Sequence, residues 1–213
     1  MLCIKKTLVA FTLFAVASVG VVNAQSYSDV AGSTVDFLNI EETSGGGLFG
    51  QPMASGDDLS FPVGGFQSEG LDGAVDFVNG MIRLDVSANS GQAFSSISLD
   101  EFGVYFNTGN SVSSVDAFLT VVTSDGTFTG SFDFDFGAGS GLWQGTTTVT
   151  FPETVQAKVF VHNILASDSE VDEIASINKR NATIRVGGAI VPEPSSAALL
   201  IAGMAGLVAR RRR

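Results

Sequence analysis

Several residue types are nearly missing from this chain. Its 213 residues include one cysteine, one histidine and one tryptophan. The cysteine, Cys3, stands at the extreme N-terminus, so the rest of the chain has no disulfide framework and no thiol chemistry. A single histidine, His162, excludes the zinc signatures that need two. No Gly-x-Ser-x-Gly elbow and no phosphate-cradling glycine loop occurs, which removes the commonest hydrolase and nucleotide-binding patterns. Positive charge is also scarce, with 11 Lys and Arg against 22 Asp and Glu. Six of the 11 lie near the two ends. Between them only Arg83, Lys158, Lys179, Arg180 and Arg185 oppose every acidic residue except Glu193, a net charge of −16. So acidic a core disfavours nucleic acid and anionic polymers as partners, because phosphate binding needs cations. It is compatible with cations, neutral glycans or solubility alone. There is no fixed internal repeat, which argues against a solenoid, and no long amphipathic helix.

What is present begins with the ends. Lys5 and Lys6, an apolar run over residues 8–16 and the small residues of Val22-Asn23-Ala24 form a secretory signal peptide. Cleavage is expected between Ala24 and Gln25, with the Sec translocon and signal peptidase as partners. At the other end, residues 197–209 are a 13-residue apolar run. As a helix at about 1.5 Å per residue it spans roughly 20 Å. A bilayer core is about 30 Å thick, so this segment suits transient rather than permanent membrane contact. Arg210, Arg211, Arg212 and Arg213 resist translocation and should stay cytoplasmic, leaving everything upstream outside. Just before the apolar run, Pro192 and Pro194 remove two backbone donors and hold the chain extended, out of any helix interior or sheet ladder. An extended segment beside a membrane is accessible to a processing enzyme.

The order Val191-Pro192-Glu193-Pro194-Ser195, short hydrophobic helix, arginine tail resembles the PEP-CTERM sorting signal of exported bacterial proteins. The resemblance covers about the last 23 residues. It implies recognition by an exosortase, a membrane-embedded transpeptidase-like enzyme for which these residues are substrate. It also implies cleavage near the PEP motif, transfer to the cell surface or extracellular matrix of a Gram-negative-type bacterium, and an association with exopolysaccharide and biofilm.

The core between the signals reads as β-structure. Ile82, Leu84 and Val86 alternate with Arg83 and Asp85. Phe128, Phe132, Phe134 and Phe136 share one face, opposite Thr127, Thr129, Ser131, Asp133 and Asp135. Val155, Ala157, Val159 and Val161 oppose Gln156, Lys158, Phe160 and His162, and Ala182, Ile184 and Val186 oppose Thr183 and Arg185. Period-two alternation marks half-buried strands. Asn79-Gly80 and Asp125-Gly126 are expected hairpin turns. Ile97 and Leu99 are apolar at odd positions, Phe102, Val104 and Phe106 at even ones, so a bulge or break is expected at Asp100-Glu101. Residues 43–50 and 52–56, rich in glycine and small residues, are expected loops.

These observations predict an all-β fold, an antiparallel two-sheet β-sandwich of jelly-roll type. An N-terminal signal helix and a short C-terminal hydrophobic helix should flank it. The expected divisions are residues 1–24 as signal peptide, 25–188 as acidic sandwich and 189–213 as sorting signal. No catalytic constellation stands out, and the expectation is a non-catalytic protein without a cofactor. Asp168, Glu170 and Asp172 present oxygen ligands at alternate positions, the pattern of a calcium loop, but without the EF-hand glycine; a solvated acidic loop is the plainer reading. Asp133 with Asp135, and Asp57 with Asp58, read the same way. Trp143, Tyr105 and Phe160 are candidates for stacking on sugars. Asn181-Ala182-Thr183 matches a glycosylation sequon inside an expected strand. Two roles remain open for the core: a structural or adhesive matrix component, or a lectin-like glycan-binding module.

Overall fold

The computed structural model describes residues 24–44 and 47–188. The expected signal helices, the PEP motif and the arginine tail lie outside these residues. Ala24 and Gln25 lie inside, both exposed. Thirteen strands follow, and among the described residues there is no helix. They are β1 (Gln25–Ser26), β2 (Val30–Ala31), β3 (Val35–Glu42), β4 (Met53–Ser55), β5 (Asp58–Pro62), β6 (Gln67–Leu71) and β7 (Val75–Ala88). Then come β8 (Phe94–Asn107), β9 (Val112–Thr123), β10 (Gly126–Phe136), β11 (Gly139–Thr154), β12 (Gln156–Asp168) and β13 (Ile174–Gly187).

The strands form two antiparallel sheets. Sheet I runs β1-β3-β7-β12-β9-β10, with β2 also on β3. Sheet II runs β11-β8-β13-β5-β4, with β6 also on β13. Their inner faces enclose one hydrophobic core. Ile82, Leu84 and Val86 of β7, and Val159 and Val161 of β12, point inward from sheet I. Ile97 and Leu99 of β8 and Ile184 of β13 meet them from sheet II. Each fully buried aliphatic or aromatic side chain contributes about 1.5–3 kcal/mol, which is how a domain without a disulfide holds together.

The Asp125-Gly126 hairpin forms as expected, Thr123 pairing with Gly126. Asn79-Gly80 does not turn. β7 runs straight through it, and Gly80 is small for another reason: a Cβ there would stand 2.3 Å from the Phe66 ring. Nor does β8 break at Asp100-Glu101. It pairs with β11 in continuous register from Asn107 to Ser96. Glu101 therefore points into the core, while Phe102 and Phe106 face outward, exposed. The phase slip belongs to β13, where the register with β8 shifts between Lys179 and Asn181. Lys179 points inward with Ala175 and Ile177, and the bulge after it still lets Ala182 and Ile184 face the core. Two smaller expectations also shift. Val155 falls between β11 and β12 and is 58% exposed. The stretch 52–56 holds the short strand β4 rather than loop alone.

Candidate functional site

Strand β12 occupies the centre of sheet I, between β7 and β9. Its outward side chains define the open face of that sheet. Lys158 lies between Asp85 and Val122, Phe160 between Arg83 and Thr120, His162 between Met81 and Phe118, and Ile164 between Asn79 and Asp116. The rows continue onto β10, with Ser131 opposite Phe118 and Asp133 opposite Asp116. The face therefore passes from a hydrogen-bonding end through an aromatic middle to an acidic end.

The hydrogen-bonding end is a groove of about 440 Å³, lined in part by Asn39, Asp85, Ser87, Val122, Gln156 and Lys158. Its shape begins in β3, whose register against β7 shifts between Leu38 and Glu41. Within that irregularity Asn39 adopts φ 51°, a left-handed conformation that asparagine tolerates better than most residues. Its side-chain amide donates to Asp85 Oδ2 at 2.8 Å, and its backbone N–H donates to Asp29 at 2.8 Å. Lys158 Nζ donates to Asp85 Oδ1 at 3.1 Å. Partial burial pushes the Asp85 carboxyl up. The donors Asn39 and Lys158, with the charges of Lys158 and Arg83, outweigh it and hold the group below the usual carboxylate range. The groove thus offers a fixed carboxylate, an amide and an exposed ammonium group around one concavity.

In the middle, Phe118 is 43% exposed and stacks on His162, ring centroids 6.1 Å apart at 27°. Burial alone lowers the His162 pKa, so the imidazole is neutral at pH 7 and able both to donate and to accept. Phe160, half-buried, presents its ring in the next row. At the acidic end, burial first and then Asp133 and Asp135 raise the Asp116 carboxyl.

The sequence candidates divide. Phe160 lies on the open face. Trp143 does not: it is 4% exposed, and its ring covers Gly103 inside the sandwich. Tyr105 is spent on Phe136, stacked at 4.4 Å. Asp168, Glu170 and Asp172 are not drawn together as a metal-holding group, and among the described residues no cluster of three His, Cys, Asp or Glu is so placed. Instead Asp172 N–H donates to Asp72, Glu170 N–H donates to Ser111, and the neighbouring Glu173 carboxylate organises the turn by accepting from Asn110 and Ser111. Asp57 accepts from the backbone and hydroxyl of Thr34, and Asp58 pairs with Arg185. Sequence reasoning missed the groove itself. Alternation along the strands sends Asp85 and Lys158 outward, but their adjacency is a matter of register between strands far apart in the chain.

No family model matches the chain, and no curated protein matches it. Among solved structures it is similar to the carbohydrate-binding module TmCBM61 in complex with beta-1,4-galactotriose. That match has a TM-score of 0.25 and 11% identity, over 60% of this chain and 70% of that one. A family 16 carbohydrate-binding module matches with a TM-score of 0.27 and 9% identity, over 70% and 86%. Infectious bursal disease virus Gx strain matches with a TM-score of 0.29 and 10% identity, over 71% and 50%.

Proposed function

We propose that the chain is an exported, non-catalytic surface or matrix protein with a jelly-roll-like sandwich. An exosortase sorts and processes it at its C-terminal signal, and the open face of sheet I adheres to neutral glycan chains. The sorting half rests on the three-part C-terminal pattern and the signal peptide. In keeping with it, β1 starts at Gln25, the residue after the expected cleavage point. Mass spectrometry of the termini in the native surface fraction tests this half: a start at Gln25 and an end within residues 192–196 support it, and an intact Arg213 overturns it.

One observation carries the adhesive half: the groove of about 440 Å³ opens on the same face of sheet I as the half-buried Phe160 and the exposed Phe118. Sugar rings present flat C–H faces to aromatic planes and hydroxyls to fixed polar groups. The site offers Phe160 and Phe118 for the first, Asp85, Asn39 and Lys158 for the second. The negative core disfavours acidic polysaccharides. Binding to neutral polysaccharides is measured by calorimetry, in calcium and in chelator. Phe160→Ala and Phe118→Ala are expected to weaken binding about tenfold each, equivalent to about 1.4 kcal/mol. Unchanged affinity in both variants would remove sheet I as the platform. No binding to any neutral glycan would leave a purely structural matrix role.

A further inference from the structure

The interior holds a second, different cluster. Lys179 of β13 and Glu101 of β8 are both 0% exposed at their side chains, with Nζ and Oε2 2.7 Å apart. Asn163 of β12, also 0% exposed, enters from the opposite sheet toward the same carboxylate. It is flanked across sheet I by Gly80 and Ala117, two of the smallest residues available. The Phe66 ring lies under the ammonium, 4.8 Å from Nζ to its centroid. Yet Lys179 Nζ, both Glu101 oxygens and both Asn163 amide atoms lack any hydrogen bond of good geometry. Buried polar groups are nearly always bonded, and a buried ion pair is weak evidence of stability. Five such atoms gathered around one buried carboxylate call for a chemical explanation.

We propose that Lys179 and Asn163 join in an intramolecular amide bond, formed by the folded chain itself, with Glu101 carrying the protons. The neutral Lys179 amine attacks Asn163 Cγ. Protonated Glu101 donates to the Asn163 carbonyl oxygen and then relays the amine's proton to the departing nitrogen. The Nζ–Cγ bond forms, the Cγ–Nδ2 bond breaks, and one ammonia leaves. No oxidant or cofactor is needed. Burial favours the required protonation states, pushing the Glu101 carboxyl up and the Lys179 amine down, each opposed by the other's charge. The product replaces a buried ion pair by neutral groups. It ties β12 of sheet I to β13 of sheet II in a core that has no disulfide, constraining the unfolded chain much as a disulfide does. Alternation with Ala175 and Ile177 aims Lys179 inward, and the β13 bulge after it returns Ala182 and Ile184 to the core.

The test is peptide mapping of the full-length protein, purified folded and then denatured. Trypsin cuts after Lys158 and Arg180 but not after an acylated Lys179, and a glutamate-specific protease cuts after Glu170 and Glu173. The expected result is residues 159–170 still joined to residues 174–180, lighter by one ammonia than the two peptides apart. A succinimide at Asn163 also sheds ammonia but leaves the peptides separate. Free residues 174–179 at the unmodified mass would overturn the proposal. Glu101→Gln is expected to leave the peptides unlinked; a link that survives there would overturn the proton-carrying role. Should that variant fail to fold, Asn163→Asp decides. It keeps the shape of the site and is expected to lose water instead of ammonia, giving a linked product identical in mass to the wild type, and its failure to link would overturn the proposal.

Discussion

Two glutamates in this sandwich are equally buried and differently housed. Glu42, at the end of β3, has no cation beside it among the described residues. Its carboxylate instead accepts from the Tyr27 hydroxyl at 2.8 Å, the Ser44 hydroxyl at 2.9 Å and the backbone N–H groups of Leu48 and Phe49. Glu101, in the middle of β8, has a cation at 2.7 Å and no well-aligned donor at all. The first arrangement fixes the loop after β3 against the sandwich, and every lone pair has work that holds the fold. The second leaves its atoms close but unbonded, which is how reactants sit. Burial alone therefore does not say what a carboxylate is for; the directions of its neighbours do.

The widest separation between the two comes from removing one partner of each. Lys179→Ala leaves Glu101 buried without its cation, and breaking a buried pair in this way costs about 3–5 kcal/mol. It also deletes the amine of the proposed cross-link. Glu42→Ala strands several donors at roughly 1 kcal/mol or slightly more each, and water can enter from the loop side, so about 3 kcal/mol is expected. Denaturant midpoints of the two variants measure the order. A Lys179→Ala variant as stable as wild type would make the interior pair dispensable.

A smaller effect separates them by pH. Burial first, then the hydrogen bond and charge of Glu42, push the Tyr27 phenol well above its ordinary value. The folded chain thus keeps a proton that the unfolded chain releases near pH 10, and stability falls as pH rises above that point. Tyr27→Phe loses one hydrogen bond, about 1 kcal/mol at neutral pH, and removes that alkaline slope. Thermal melts between pH 8 and pH 11 read both. A slope that persists in the variant would assign it elsewhere.

What the sequence disclosed follows the same line between local and distant causes. The Asp125-Gly126 hairpin was legible because two adjacent residues decide it. The second half of β7 and the first half of β12 are legible from alternation. Gly80 misled because its reason is the ring of Phe66, delivered by a separate loop. Glu101 misled because an acid beside Phe102 and Phe106 suggests a strand that has changed face. Only Lys179, on the inner face of a strand far along the chain, makes an inward acid tolerable. The alternation of Ala175, Ile177 and Lys179, and of Val161, Asn163 and Leu165, does place both partners on inner faces. Their meeting with Glu101 depends on how the sheets stack, which no single strand encodes. The groove beside Asp85 was hidden for the same reason.

Asp116 supplies a third kind of carboxylate, and the smallest expected effect. It is half-buried, has neither a cation nor an aligned donor at its side chain among the described residues, and faces Asp133 directly across the β9–β10 ladder. Burial, then Asp133 and Asp135, raise its pKa. Between the unfolded and folded values the folded chain holds the extra proton. Stability therefore declines as pH rises through that window and stays reduced above it. Asp116→Asn removes the penalty. The variant should be more stable at pH 7 by roughly 0.2–1 kcal/mol, the range for like charges directly opposed on neighbouring strands. The gain should shrink in high salt, which screens exposed charges, and vanish only well below the ordinary carboxylate range, where the wild-type carboxyl is protonated in both states. A variant less stable than wild type at pH 7 would mean that this acid, like Glu42, has a structural partner, and that the acidic end of sheet I is built rather than merely tolerated.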